Sequence, residues 1–427
     1  MNKTHIPNLS SKVQSWLGKF DRFVRLDSNG YTSDKLAREE TLIACGIKEE
    51  FVLPQGSKES LFLAFRAFLN ANRGRWIFGH MSYEAKDIFE ITTTSLPEAI
   101  GVPVISFFVP EIVLSVSGDE LRILSSDIEH QKLIAEIIGS DPTAGRATNA
   151  GDARFAIDKE TYIECVRRLI RHIYLGDIYE VNFCQTLFYD RILLDPFELY
   201  LRLKEQSAPP FGAFYKIGNT YLCCASPERF IAKRGPKLIC QPIKGTNRRA
   251  EDEEENKVLQ HLLYSNQKER SENVMIVDLM RNDLSRICMP GSVKVEELYG
   301  IYAFRHVNQM ISTIVGETDV DINFADAMKA LYPMGSMTGA PKISSLELID
   351  RYESHQRGLF SGTIGYIDPQ GDWDFNVIIR SVIYDDQLEK ASVSSGGAIT
   401  ALSVPEDEYN ESLLKMEGMM RLLGDNG

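Results

Sequence analysis

The chain lacks any apolar run long enough to cross a bilayer. Its most apolar stretch, Val102 to Leu114, is broken by Pro103, Pro110 and Glu111, so no membrane-spanning helix is expected. The N-terminus, MNKTHIPNLSSKVQSWLGKF, has no apolar core of a secretory signal. Cysteine is sparse and odd in number. Cys45, Cys165, Cys184, Cys223, Cys224, Cys240 and Cys288 form no C-x-x-C pair. That argues against a disulfide framework or a zinc site and for a reducing, cytoplasmic setting. Positive charge is in deficit as well. A formal net charge of -13 argues against nucleic acid and against an anionic membrane as partners. It leaves room for an anionic small substrate, because a pocket can be locally cationic or hold a metal ion.

What is present describes an ordinary globular protein. The 427 residues are 44% hydrophobic and 25% charged. That length suggests about two to three domains, or one large intertwined unit. The stretch Ser140 to Asp152, SDPTAGRATNAGD, reads as a linker. It separates an N-terminal region, 1–145, from a catalytic domain, 150–427. Strand-like runs are Trp76–Phe78, Val104–Val109, Glu111–Val116, Ile178–Leu187, Phe211–Ile217, Tyr221–Ala225 and Arg229–Ala232. Further runs are Leu359–Ile367, Trp373–Tyr384 and Lys390–Ser394. Helices are expected over Glu59–Asn70, Glu160–Leu175 (capped by Asp158, ended by Gly176), twice within 251–287, then Phe324–Leu331 and Ile343–Ser354. Clustered strands with helices between the clusters predict an α+β fold, a large two-sheet sandwich flanked by helices, rather than a doubly wound parallel sheet.

A helix also closes the chain. Ser403 and Glu406 have capping-box spacing, with Pro405 in the first turn. Tyr409, Leu413, Met416, Met420 and Leu423 share its apolar face. Glu408, Glu411 and Lys415 share a neighbouring face. Two carboxylates one turn apart suit Mg²⁺, which takes one or two carboxylates and keeps positions for substrate and water. Glu272 is a second carboxylate source, where a charged segment runs into the apolar one from Val274. Gly396 and Gly397, in SVSSGGAI, read as a turn whose amides could nest a carboxylate. Gly339 and Ala340 lie in a glycine-rich loop, GSMTGAPK, ahead of a helix start, a setting for an anion. The Walker order is missing. Arg380 could clamp a second carboxylate and Tyr366 could add a hydroxyl donor. Together these residue types predict a site for a small dicarboxylate, with Mg²⁺ and backbone amides on one carboxylate.

One lysine stands out in the turn-like stretch Gln241-Pro242-Ile243-Lys244-Gly245-Thr246. With it go GDIYEVNFCQ (176–185), SPERF (226–230), ENVMIVDLMRNDLSRIC (272–288), GSMTGAPK (335–342), SGTIGYID (361–368) and EYNESLLK (408–415). In this order the segments resemble the chorismate-binding enzymes. These are the catalytic components of anthranilate synthase, aminodeoxychorismate synthase and isochorismate synthase. The resemblance covers about residues 155–427 closely, and 1–145 more loosely through WIFGHMSYEAKDIFE (76–90) and SFFVPEIVL (106–114).

The resemblance implies the anthranilate synthase component I fold and a site built from these motifs. Lys244 would attack C2 of chorismate while Glu228 protonates the leaving C4 hydroxyl. Ammonia would then enter at C4 and expel the lysine, an aminotransferase-type reaction giving 4-amino-4-deoxychorismate. Lysine at position 244 is typical of the C4-aminating members, whereas anthranilate synthases carry alanine. Thr246 and Lys415 would hold substrate; Glu272, Glu411 and Glu408 would hold Mg²⁺. A free amine must attack, so the lysine is expected to have a lowered pKa. Isochorismate synthases place a base lysine in the segment matching EVNFCQ, and this chain has none between Glu180 and Gln185. Gln309 stands where anthranilate synthases carry a histidine used in pyruvate elimination, so elimination is expected to be impaired. Gln241 and Ala398 also depart from the family pattern, and the LLES feedback motif is absent. No segment resembles a glutaminase, so a separate glutamine amidotransferase partner, or free ammonia, is expected. The alternatives are anthranilate synthase component I and a non-catalytic chorismate-binding subunit.

Overall fold

The computed structural model describes residues 3–31, 36, 38–140, 145–146 and 148–424. Two antiparallel sheets face one another. The first has 12 strands. From one edge it runs Thr4–His5, Glu120–Ser126, Ile112–Ser117, Thr41–Cys45, Arg22–Asp27 and Phe211–Ile217, then Thr220–Ser226, Ser381–Asp385, Lys390–Ile399, Glu180–Asp190 and Gly339–Ala340. Asp152–Phe155 pairs beside Glu180–Asp190. The second has 10 strands: Ile243–Arg248, Val307–Glu317, Lys237–Gln241, Arg229–Arg234, Trp373–Asn376, Thr363–Ile367, Ile77–Met81, Ile105–Val109 and Glu49–Val52, with Lys294–Ala303 on Val307–Glu317.

The expected two-sheet α+β sandwich is therefore present. Its main core lies between the sheets, where Val24, Leu42 and Leu222 of the first meet Phe78, Phe107, Ile231 and Phe375 of the second. A second core covers the outer face of the first sheet. Helices Leu9–Leu17, His130–Ile138, Pro196–Ser207 and Pro405–Leu422 pack there through residues such as Trp16, Leu133, Tyr200 and Met416. Residues on both sides of 145 build both sheets. Arg22–Asp27 pairs with Phe211–Ile217, and Ile77–Met81 with Thr363–Ile367. Of the linker-like stretch, 141–144 and 147 lie outside the described residues.

Local signals explain several of these elements. Asp158 caps helix Lys159–Leu175 by accepting a hydrogen bond from Thr161 N, and Gly176 ends it at φ 86°. Such a cap is worth about 1 kcal/mol. The run expected as one strand over Trp373–Tyr384 is two, Trp373–Asn376 and Ser381–Asp385, in different sheets. Between them Arg380 takes φ 52°, a left-handed conformation that costs a residue with a Cβ. The closing helix starts at Pro405 as expected, but the capping box does not form. Ser403 turns back instead, accepting from Thr400 N and donating to Ala398 O. Among the described residues, no helix is long and apolar enough to cross a membrane.

Candidate active site

A cavity of about 580 Å³ opens between the ends of the two sheets and the helices Gln267–Ser285 and Pro405–Leu422. That is the size of a small-molecule site. Lys244, Thr246, Glu228, Glu272, Glu408, Glu411, Arg380, Lys415 and Gly396 all line it. Residues expected from six separate segments thus meet around one space.

Lys244 sits on strand Ile243–Arg248, with only 12% of its side chain exposed. Its Nζ donates to Glu180 Oε1 at 3.0 Å. The expectation of a lowered lysine pKa is not met. Burial pulls it down, but Glu180, then Glu272 and Glu228, outweigh burial and hold it above its ordinary value. The neighbouring carboxylates thus favour the ammonium form of this amine.

Glu228 lies in the turn between strands Thr220–Ser226 and Arg229–Arg234. The Ser226 hydroxyl accepts from its backbone N–H. Burial pushes its carboxyl up to about 7, against the opposing pull of a hydrogen bond with Ser336 and the charge of Lys244. At neutral pH a large share of Glu228 therefore carries a proton, which is the state of a general acid. A protonated acid and an amine converge on one cavity.

The acidic wall comes from two helices. Glu269 and Glu272 lie one turn apart on Gln267–Ser285, and Glu408 and Glu411 on Pro405–Leu422. Burial, opposed by Lys244 and reinforced by Glu269, pushes Glu272 up to about 7. Burial raises Glu269 and Glu408 too, and the charge of Glu411 adds to both. Glu411 is half-exposed and paired with Lys415 at 2.7 Å. Among the described residues no three acidic, histidine or cysteine side chains form a preassembled ligand cluster. The donor set nonetheless fits Mg²⁺, which needs only one or two carboxylates beside substrate and water oxygens. A divalent cation would also offset the burial that raises Glu272, Glu269 and Glu408.

Several expected binding residues lie elsewhere. Tyr366 does not reach this cavity. It sits on strand Thr363–Ile367 against Trp76 and Phe78, lining a second, smaller cavity of about 70 Å³. Side chains alternate along a strand, and this register turns Tyr366 away. Gly339 and Ala340 form no open anion loop. They are a two-residue strand paired with Val181 and Glu180, and Ser336 and Met337 of the same motif line the cavity in their place. Gly396 and Gly397 are not in a turn. They continue strand Lys390–Ile399, opposite Cys184 and Phe183. The Gly396 carbonyl accepts from Lys415 Nζ at 2.9 Å, so this glycine orients the lysine rather than nesting an anion. Arg380 does line the cavity, with one guanidinium N–H already given to Lys415 O at 2.6 Å.

Of the departures from the family pattern, Gln309 lines the cavity beside Ala398. Gln309 is paired across the ladder with Thr246, and its buried Oε1 has no hydrogen-bond partner among the described residues. Gln241 is structural, accepting from Arg229 and donating to Thr313. Three contributors were missed: Ser336, Glu269 and Glu180. Each had a signal, since Ser336 lies within GSMTGAPK, Glu269 one turn before Glu272, and Glu180 at the head of EVNFCQ.

A family model described as chorismate binding enzyme matches residues 23–421. The chain is 44% identical over 262 residues to the chloroplastic aminodeoxychorismate synthase of Arabidopsis thaliana, a match covering 60% of this chain and 28% of that one. It is 34% identical over 274 residues to aminodeoxychorismate synthase component 1 of Bacillus subtilis, covering 64% and 58%. It is 32% identical over 356 residues to anthranilate synthase component 1 of Thermus thermophilus, covering 81% and 76%. In fold it is similar to anthranilate synthase component I from Streptococcus pneumoniae (TM-score 0.75, 23% identity, 94% and 92% covered). It is also similar to the menaquinone-specific isochorismate synthase of Escherichia coli (TM-score 0.76, 17% identity, 99% and 94% covered). The match along nearly the whole chain, with the family's motifs gathered around one cavity, places this protein in the chorismate binding enzyme family.

Proposed function

We propose that the protein aminates chorismate at C4 to give 4-amino-4-deoxychorismate, a step toward 4-aminobenzoate and folate. The observation that carries the reading is that Lys244 and Glu228, whose carboxyl burial pushes up to about 7, line one cavity. Lys244 attacks C2 as the C4–O bond breaks, and Glu228 gives its proton to the departing hydroxyl, which leaves as water. Ammonia adds at C4, the C2–N bond breaks, and the lysine is released. Arg380 and Lys415, which line the cavity, hold the substrate's carboxylates. Mg²⁺, when held by Glu272 with Glu411 or Glu408, supplies positive charge for a substrate carboxylate. Ammonia comes from a glutamine amidotransferase partner. Gln309 has no proton to shuttle near neutral pH, so the pyruvate unit stays on the product.

The test is product identity. Incubated with chorismate, ammonium and Mg²⁺, the protein yields 4-amino-4-deoxychorismate, and Lys244→Ala loses amination. Anthranilate with pyruvate as products would return the chain to the C2-aminating members, and unchanged bound chorismate would mark a binding subunit. A chelator stops turnover and Mg²⁺ restores it; chelator-resistant turnover removes Glu272, Glu411 and Glu408 from a metal role.

A further inference from the structure

Lys244 poses a chemical problem. A nucleophilic amine needs a lone pair, yet Glu180, Glu228, Glu269, Glu272 and Glu411 all act on Lys244 or are acted on by it, and they favour the ammonium. The charges that act most on Lys244 are those of Glu180, Glu272 and Glu228. A base within hydrogen-bond reach is then required.

We propose that Glu180 is that base, taking a proton from Lys244 Nζ as the nitrogen attacks and returning it when the lysine leaves. The inference rests on the covalent role of Lys244 proposed above. Glu180 opens strand Glu180–Asp190, and its side chain is 3% exposed. Its carboxylate stands 3.0 Å from Nζ, and Lys244 is its one hydrogen-bond partner among the described residues. Glu180 does not line the cavity, whereas Lys244 does. It is therefore behind the nucleophile and reaches the reaction only through it. That makes it a positioning and proton-holding residue, not one that touches substrate.

The fold holds Glu180 firmly. Its backbone pairs with Ala340, and the Ser345 hydroxyl donates to its carbonyl at 3.2 Å. A Cβ on Gly339 would lie 2.2 Å from that carbonyl. The glycine of GSMTGAPK thus permits a close backbone approach that seats the base. The other acids have other roles. Glu228 carries the proton for the leaving hydroxyl, and Glu272 belongs to the acidic wall.

The protons balance. Glu180 carboxylate takes one from the Lys244 ammonium, leaving a free amine. Nζ bonds to C2, the C4–O bond breaks, and Glu228 donates its proton so that water departs. Ammonia then bonds to C4 and the C2–N bond breaks, releasing the neutral amine of Lys244. Glu180 returns its proton to that amine, and the new C4 ammonium gives one to Glu228. The sum is chorismate plus ammonia giving 4-amino-4-deoxychorismate plus water.

The sign of one mutational effect tests the inference. Mix the protein with chorismate and Mg²⁺ without ammonia, quench at intervals, and follow the Lys244-bound adduct by intact and peptide mass spectrometry. If Glu180 only neutralised a buried charge, Glu180→Gln would free more amine and adduct formation would be unchanged or faster. As the base, its loss slows adduct formation at least ~100-fold. A rate equal to or above the parent's overturns the inference and leaves the covalent reading intact. Absence of any adduct in the parent overturns both. Should Glu180→Gln not fold, Glu180→Asp carries the test, because it keeps the charge pair but withdraws the base by one methylene. It slows adduct formation at least ~10-fold with chorismate affinity unchanged, and a parent-like rate refutes the role.

Discussion

Glu228 and Arg229 are neighbours in sequence and opposites in environment. Glu228 faces the large cavity, while Arg229 lines the small one. Around Arg229 the buried charges are matched. Arg229 and Arg234 grip Asp374 at 2.8 and 2.6 Å, and Arg25 and Lys204 grip Asp27. Burial alone would raise both aspartates, but their cationic partners win and hold them below the usual range. Around Glu228 burial wins. Equal burial therefore gives opposite protonation, and the placement of partners decides which. One cavity pairs its buried carboxylates with cations; the other gives Glu228 only Ser336 and the charge of Lys244, too little to offset burial.

The largest expected effect breaks the matched side. Asp374→Ala leaves Arg229 and Arg234 buried without their carboxylate, which costs about 3–5 kcal/mol of folding stability. Urea denaturation at pH 7 checks this. The depressed aspartates contribute stability above their unfolded pKa of about 3.9, and it is lost as pH falls through their folded values. The parent therefore loses that contribution in acid, and Asp374→Ala shows a flatter acid limb. A loss under about 1 kcal/mol would mean the cluster is not a stabilising unit.

The next prediction concerns the unmatched side and carries two signs. Glu228→Gln is expected to lower the proposed amination rate about 10²–10⁴-fold and to remove the fall in rate expected of the parent above about pH 7. The same change strengthens the fold. A carboxyl with a raised folded pKa weakens the fold as pH rises through that value, so Glu228→Gln gains up to roughly 3 kcal/mol at pH 8 and little at pH 4. Parallel denaturation curves at the two pH values check it, and a uniform loss of stability would contradict the comparison.

The smallest effect sharpens the boundary between the two cavities. Tyr366→Phe, in the small cavity, changes the KM for chorismate less than about 2-fold, since its ring packs on Trp76 and Phe78. A tenfold rise in KM would put its hydroxyl back on the substrate.

Legibility in the sequence followed the kind of signal. Helix Lys159–Leu175 was readable to within a residue because both ends carry caps, Asp158 and Gly176. Strand Phe211–Ile217 and helix Phe324–Leu331 agree with expectation for similar reasons of punctuation. The strands Lys294–Ala303 and Val307–Glu317 went unread, since their apolar pattern is broken by register shifts. In the site, Lys244, Glu228 and Glu272 were found because chemistry names their residue types. Tyr366 failed because which face a strand turns inward is set by its partners, not its own residues. The Gly396–Gly397 nest failed because two glycines read as a turn, while the ladder with Cys184 and Phe183 carries the strand through them.

The pairing of Arg22–Asp27 with Phe211–Ile217, and of Ile77–Met81 with Thr363–Ile367, has a consequence for how the chain reaches this shape. Each sheet closes only when strands hundreds of residues apart meet, so loop-closure entropy is spent before most contacts form. On the ribosome, the first strands wait with open edges until the last ones emerge. A fragment cut near residue 145 would keep those edges bare and aggregate rather than fold.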